Sequence, residues 1–409
     1  MATQKFFILF IILMSMFCTK ALAYDIAVKN DNDVTIYYNF INKGTEVEVT
    51  FKNRNSKSYR GYVVIPEKVT YENRTQKVTS IGEYAFDNCS DLTSVKIGKN
   101  VTSIGYGAFH SCIGLTWVYI PRSVIKIGGI AFSDCQGLKT ITIPPSVAEI
   151  GFSAFCDCIA LESVTIPNGV KSIGNYAFAH CTNLASVTIP SSVTSMGKSV
   201  FAGCINLESV TIPSSVTSIG ESVFHNCKGL KSVSVESGNT VYDSRDSCNA
   251  IIETSTNTLI AACKNTVISH SVTEIGEGAF AGCSGLASVT IPSSVIKIGE
   301  YAFDNCSGLT SVEIPNSVKS IGRYVFKDCN NLTSVIIPGS ITEIRGESFA
   351  HCYDLKDVYC YAERVPLVSG NMFYYFALSP ATLHVPATSL KKYKKTMPWK
   401  KFGRIVSIK

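Results

Sequence analysis

Short stretches of the chain alternate strictly. Ser163-Val164-Thr165-Ile166 and Ser186-Val187-Thr188-Ile189 place an apolar side chain at every second position, with hydroxyls between. That period of two belongs to a strand, so Val and Ile face a core while Ser and Thr face out. Pro167 and Pro190 follow directly; proline lacks an N–H and ends a ladder. A second apolar segment closes on Ile-Gly, as in Ser215-Val216-Thr217-Ser218-Ile219-Gly220. Glycine there predicts a backbone conformation that other residues reach poorly. Next comes Ala-Phe-x-x-Cys, whose spacing predicts a short helical turn that tucks Phe and Cys inward.

These pieces recur as one unit. Phe86, Phe109, Phe132, Phe155, Phe178, Phe201 and Phe224 follow one another at a constant step of 23, and Phe280, Phe303, Phe326 and Phe349 resume the same step. A cysteine stands three places after each, from Cys89 to Cys352, and a leucine three places after that, from Leu92 to Leu355. Eleven copies at a fixed short period predict a solenoid. One coil cannot bury its apolar side alone; neighbours stacked about 4.8 Å apart bury it. The eleven phenylalanines are the expected repeat core.

The pattern I-G-x-x-A-F-x-x-C-x-x-L-x-S-V-x-I-P-x-S-V, as in Ile298-Gly299 through Val318, resembles the BspA-like bacterial leucine-rich repeat family. The general leucine-rich frame is filled by Leu161, Val164 and Ile166, with Ser192 or Ser215 at the position where Asn or Cys is usual. The resemblance implies a leucine-rich-repeat solenoid. Its 23-residue coils carry a parallel β-sheet on one face and short helical turns opposite, with capped ends. It further implies a secreted or surface protein of bacteria living with a host, similar to adhesins that bind extracellular matrix proteins.

Departures from the period divide the chain. Lys5, the apolar run Phe6–Phe17 and Ala21-Leu22-Ala23 describe a cleavable secretory signal over 1–23. A membrane anchor would need about 20 apolar residues, and Met16-Phe17 fit poorly before a lipid-modified Cys18. Residues 24–78 alternate as strands and read as an N-terminal β cap; 79–235 and 271–355 are repeats. The interval from Phe224 to Phe280 exceeds one period by 33. There Asn249–Glu253 and Thr258–Ala262 flank Thr254–Asn257, which predicts a β-hairpin insertion over 236–270, projecting from the solenoid or lying over one face. Residues 356–409 read as a C-terminal cap with a basic tail.

Composition narrows the function. Of 409 residues, 46% are hydrophobic and 17% charged, which excludes a disordered chain. The net charge of +6 sits in the ends: 391–409 holds eight Lys or Arg and no acid, and 24–390 carries −4. A body built to grip nucleic acid is not indicated. The tail, including Lys391, Lys392, Lys394, Lys395, Lys400 and Lys401, reads as a solvated cap helix that can also meet anionic glycans or lipids.

Candidate chemistry is sparse. Sixteen cysteines invite a metal or disulfide reading, but only Cys156-Asp157-Cys158 approaches ligand spacing. The ladder cysteines read as buried free thiols acting as small hydrophobes. Cys248 and Cys263 stand opposite in a symmetric hairpin, either as a cross-strand disulfide or as two thiols. His110, His180, His225 and His351 lie between Phe and Cys in separate coils, and His270 and His384 are single. No catalytic or nucleotide-binding motif is present, so no enzymatic activity, cofactor or metal is expected.

The outward strand columns carry the strongest functional signal. They run Ser163/Thr165, Ser186/Thr188, Ser209/Thr211, and change to Trp117 and Tyr119 near one end and to Lys356, Asp357 and Tyr359 near the other. Exposed aromatics on a sheet are binding anchors when they are not covered by a cap. The candidate ligand-binding residues are therefore Trp117, Tyr119, Thr165, Thr188, Thr211 and Tyr359. The expected function is recognition of a protein or glycan ligand, host extracellular matrix included, by an exported protein. The alternative is a structural or periplasmic scaffold without a host ligand, and a glycan-capture module stands third.

Overall fold

The computed structural model describes residues 23–53, 57–373 and 380–408. The export signal expected over 1–23 lies outside the described residues apart from Ala23.

The apolar alternation becomes two parallel ladders. In the first, Thr140–Thr142, Ser163–Thr165 and Ser186–Thr188 pair in register, so each Val or Ile stands over the next. In the second, two-residue strands put Ile104, Ile127, Ile150, Ile173, Met196 and Ile219 in one column. Every register step in these ladders is one sequence period, so repeat identity and spatial column coincide.

The third side of each coil also bonds to its neighbour. The Phe86 N–H donates to the Ala108 carbonyl at 2.7 Å, and the Phe109 N–H to that of Ala131 at 2.7 Å. These Ala-Phe-x-x-Cys segments are turns, not the helical turns that their spacing predicts. The residues two before and two after the phenylalanine sit at positive φ, as at Tyr84 and Asn88 or Tyr176 and His180. Left-handed residues on both sides prevent a helix from propagating.

The phenylalanines form two stacks. Successive rings from Phe86 to Phe224 lie 4.7 to 6.0 Å apart and within 16° of parallel. A second stack runs from Phe280 through Phe349 to Phe373. Tyr59 closes the first stack at 4.3 Å from Phe86, and Phe402 meets Phe373 edge-on at 5.3 Å.

The Ile-Gly glycine has a different role from the one expected. Gly128 is not among the residues at positive φ. A Cβ built on it would lie 2.7 Å from the carbonyl carbon of Gly105. The requirement is close approach of stacked backbones, not an unusual conformation.

The insertion neither projects nor lies over a face. Ala250–Glu253 and Thr258–Ala262 form the expected hairpin, and its second strand pairs in parallel with Glu274–Ile275. The hairpin thus takes a place in the second ladder. Its alternation divides two cores: Ile251 and Ala261 join the N-terminal cluster, while Ala250, Ile252, Leu259 and Ala262 join the C-terminal one. Side-chain oxygens serve the strand Ser232–Val235 beside it. Asn249 Oδ1 accepts from the Val233 N–H at 2.8 Å, and Ser244 Oγ accepts from the Val235 N–H at 3.0 Å. On the turn side the two runs meet at one point, where the Asn226 N–H donates to the Ala281 carbonyl at 3.0 Å, while the Ala279 carbonyl accepts from the hairpin's Ala262 N–H at 2.9 Å.

Both ends are closed by their own elements. Ile26–Lys29, Thr35–Ile41 and Glu46–Thr50 form an antiparallel meander whose last strand joins the second ladder through Arg74–Ile81. At the other end Leu390–Tyr393 is a single helical turn, and Tyr393 and Trp399 are fully buried beneath exposed lysines.

Candidate functional site: the outward face of the strand ladder

Pairing in the first ladder fixes the columns on its outer face. Trp117 stands beside Ser94 and Tyr119 beside Lys96. The two aromatic side chains are 46% and 47% exposed, with ring centroids 6.5 Å apart and planes within 26°. The N-terminal cap leaves them open. Thr142, Thr165 and Thr188 continue the Tyr119 column as an exposed lane of hydroxyls. Thr211 lies further along the lane and its Oγ is 3.1 Å from Ser234 Oγ.

The structure adds Tyr62 to this patch. Its strand, Gly61–Val64, pairs with Leu92–Lys96, placing Tyr62 across Ser94 from Trp117. Tyr62 is 44% exposed. The signal was present as Val63-x-Ile65-Pro66, which matches the Val-x-Ile-Pro end of the repeat. It is obscured because the preceding Ala-Phe-x-x-Cys is missing there.

Tyr359 is in a different setting. Its ring stacks on His384 at 4.3 Å, and His384 Nε2 lies 2.7 Å from Asp357 Oδ1. Asp357, Tyr359 and His384 therefore form a fixed group across neighbouring strands. The candidate residues are not gathered at one point: Trp117 and Tyr119 sit at one end of the face, Tyr359 at the other, and the threonines between.

The cysteines have a structural role with its own chemistry. Within each run of repeats the ladder thiols from Cys112 to Cys227 and from Cys306 to Cys352 reach back to the preceding coil. Cys112 Sγ donates to the Phe86 carbonyl at 3.0 Å, Cys204 Sγ to Phe178 at 3.2 Å, and Cys352 Sγ to Phe326 at 3.1 Å. The thiol is thus a small buried donor, satisfying a carbonyl between two rings of the stack. Burial pushes the Cys204 thiol up to about 12, so it is protonated and poorly nucleophilic. Cys248 and Cys263 are free thiols, and the cross-strand pairing is not made. A bulge between Ile251 and Ile252 shifts the register, and the two side chains belong to different core clusters.

The polar groups on the turn side form ladders between coils. His110 Nδ1 is 2.7 Å from Asp87 Oδ1, and His351 Nδ1 is 2.7 Å from Asp328 Oδ1, each pair one period apart. Burial holds His225 below the usual histidine range, aided by His180 and Lys327 nearby. Burial raises the Asp304 carboxyl to about 6 against the pull of Lys327. Among the described residues no group of three His, Cys, Asp or Glu is placed to hold a metal ion. No helix among them is long and apolar enough to cross a membrane.

The chain is similar in structure to several bacterial proteins. A leucine-rich cell surface protein from Faecalibacterium prausnitzii superposes with a TM-score of 0.71 at 28% identity, covering 94% of this chain and 95% of the other. The pneumococcal vaccine antigen PcpA shares the fold with a TM-score of 0.64 at 18% identity, covering 94% and 99%. A leucine-rich repeat protein from Eubacterium ventriosum reaches 0.50 at 20% identity, covering 84% and 88%. No protein of curated function matches the chain significantly. The family model for the BspA type leucine rich repeat region matches residues 67–167, 148–260 and 251–379. With most of its length matched and the same unit setting every column of the solenoid, the chain belongs to the BspA-type leucine-rich repeat family.

Proposed function

We propose that this is an exported recognition protein that holds a protein or glycan ligand against the outer face of its strand ladder. The observation that carries the reading is the open aromatic patch of Tyr62, Trp117 and Tyr119. Three large rings project from a rigid sheet whose other outward positions are mostly Ser and Thr. Large apolar side chains left exposed on a fixed scaffold are the residues that dominate binding energy at interfaces. The hydroxyl lane beside them offers donors and acceptors without charge, and variable outward positions set specificity. The resemblance to a cell surface protein that covers nearly the whole chain supports an outward location. The reading assigns no catalysis.

The test is location, because the scaffold alternative places the protein inside the envelope. Intact producing cells are treated with protease, then fractionated and probed for the chain. Digestion on intact cells, or recovery from the medium, is the expected result. Protection until the outer envelope is opened would favour the periplasmic scaffold.

A further inference from the structure

A groove lies where the repeat breaks down at its C-terminal end. Three local departures make it. Ile337 pairs with Cys360, a full period on, while Ile344 pairs with Val368, one place beyond a full period. The loop between those strands is therefore one residue longer than in the preceding coil. Tyr361 occupies the position held by Pro315 and Pro338 in the two preceding coils. Having an N–H, it donates to the Ile337 carbonyl at 2.9 Å directly after the strand Asp357–Cys360. Its exposed side chain thus follows the outward groups Asp357 and Tyr359 in alternation, one residue past the strand end. Directly beside it, Gly339 leaves bare backbone; a Cβ there would stand 3.2 Å from the Tyr361 carbonyl oxygen.

The result is a groove in two parts that meet at Tyr361. One part, about 580 Å³, is bounded by Gly339, Tyr361, Arg364 and Leu367. The other, about 350 Å³, reaches Glu313 and Asn316. The loop is held from behind by the C-terminal cap. The Tyr393 hydroxyl donates to the Ala362 carbonyl at 2.7 Å, and Ser389 Oγ donates to the Glu363 carbonyl at 2.5 Å. Ala362 is buried, whereas Tyr361, Glu363 and Arg364 are exposed. An exposed loop whose backbone is fixed in this way presents its side chains at little further ordering cost.

We infer that this groove binds a carbohydrate. The exposed Tyr361 ring is a flat apolar platform of the kind a pyranose ring covers with its C–H face. Around it stand Glu313, Asn316, Glu363 and Arg364, planar groups that pair bidentately with adjacent hydroxyls. Two carboxylates against one guanidinium disfavour a phosphorylated or polyanionic ligand. The same carboxylates, together with a single aromatic ring, make poor lining for a purely apolar one. The site is separate from the aromatic patch at Trp117 and does not depend on it.

The experiment applies the purified protein to a glycan array and, in parallel, to an array of twelve-residue peptides. Bound glycans are then titrated against three variants. Tyr361→Ala removes the platform. Gly339→Gln fills the groove at a residue of ordinary φ, and so checks the site without deleting a ring. Trp117→Ala marks the other patch. The expected result is binding to a defined set of glycans, weakened about tenfold or more by Tyr361→Ala and by Gly339→Gln. Trp117→Ala leaves it unchanged, and thermal melting shows all three variants folded. No glycan bound, peptides bound instead, or glycan binding that survives both groove variants would overturn the inference. Loss with Trp117→Ala alone would also overturn it, while upholding the strand-face patch.

Discussion

The two stacks on either side of the hairpin are built from the same unit and kept to different standards. From Phe86 to Phe224 the period never varies, and backbone lies on backbone at Gly105, Gly128 and Gly151. From Phe280 onward the phenylalanines keep the period to Phe349 and Gly299 is as tight as Gly128, but the contact relaxes one coil later. A Cβ on Gly322 would meet nothing closer than 3.5 Å, and Arg345 stands in the next place of that column. Charge enters as well: Asp304, Lys327 and Asp328 form a cluster, and the loop after Cys360 gains a residue. Inner columns are constrained because a changed volume in a stacked core meets two neighbouring coils at once. Outer columns and loops meet solvent, so they vary wherever the core does not forbid it.

The largest expected effect comes from breaking the stack itself. Phe201→Ala removes a ring held between Phe178 and Phe224, and should cost about 3–5 kcal/mol. The same change at Phe326, between Phe303 and Phe349, should cost as much if the second stack is equally continuous. Denaturant unfolding of the two variants reads both values. Melting indistinguishable from the parent would contradict the stacked-core account.

The hairpin offers a sharper version. Ile251 and Ile252 are adjacent and fully buried, yet they face different cores. Truncation of either to Ala should cost about 2–5 kcal/mol. Hydrogen exchange should place the loosening in the N-terminal stack for Ile251→Ala and in the C-terminal stack for Ile252→Ala. The same pattern of exchange in both variants would show that the hairpin is not a partition.

Glycine tests the difference in tightness. Gly128→Ala drives a Cβ into the backbone of Gly105 and should cost about 1–3 kcal/mol. Gly322→Ala, where the added Cβ meets its neighbours at 3.5 Å, an ordinary contact distance, should shift the melting temperature little.

Asp304 gives a small effect with a defined sign. Its carboxyl is raised to about 6 in the folded chain, from an ordinary value of 3.8. The folded state therefore prefers the protonated form. That contribution is complete below pH 3.8 and is lost as pH rises through about 6. Asp304→Asn should be more stable than the parent at pH 7–8, by about 1 kcal/mol. The gain should fade toward pH 4, where the parent is also neutral at this site. Thermal melting across that range checks the crossover; a variant destabilised at pH 8 would show that the Lys327 contact outweighs burial.

The period, the phenylalanine column, the inward cysteines and the outward placement of Thr165 and Thr188 were legible because each rests on spacing alone. The turn conformation was not, since Ala-Phe-x-x-Cys has helical spacing. What rules out a helix is left-handed backbone at residues such as Tyr84 and His180, which do not announce it. Nor did the hairpin's position follow from its alternation. Both of its faces are apolar, and two-faced burial can be read only once two cores are seen. Trp117 and Tyr119 were legible as exceptions within a column. Tyr62 and Tyr361 were harder to see because each sits in a coil that has lost part of the repeat.

The most direct test of the recognition account is binding by a Trp117→Ala, Tyr119→Ala double variant. The parent and the variant are applied to one immobilised panel of host matrix proteins and glycans, and their affinities compared at equal folding. The account predicts that the parent binds a specific member and that the variant binds it at least about tenfold more weakly, as expected for loss of central aromatic anchors. Equal binding by the two proteins would contradict it and move the ligand away from the strand face.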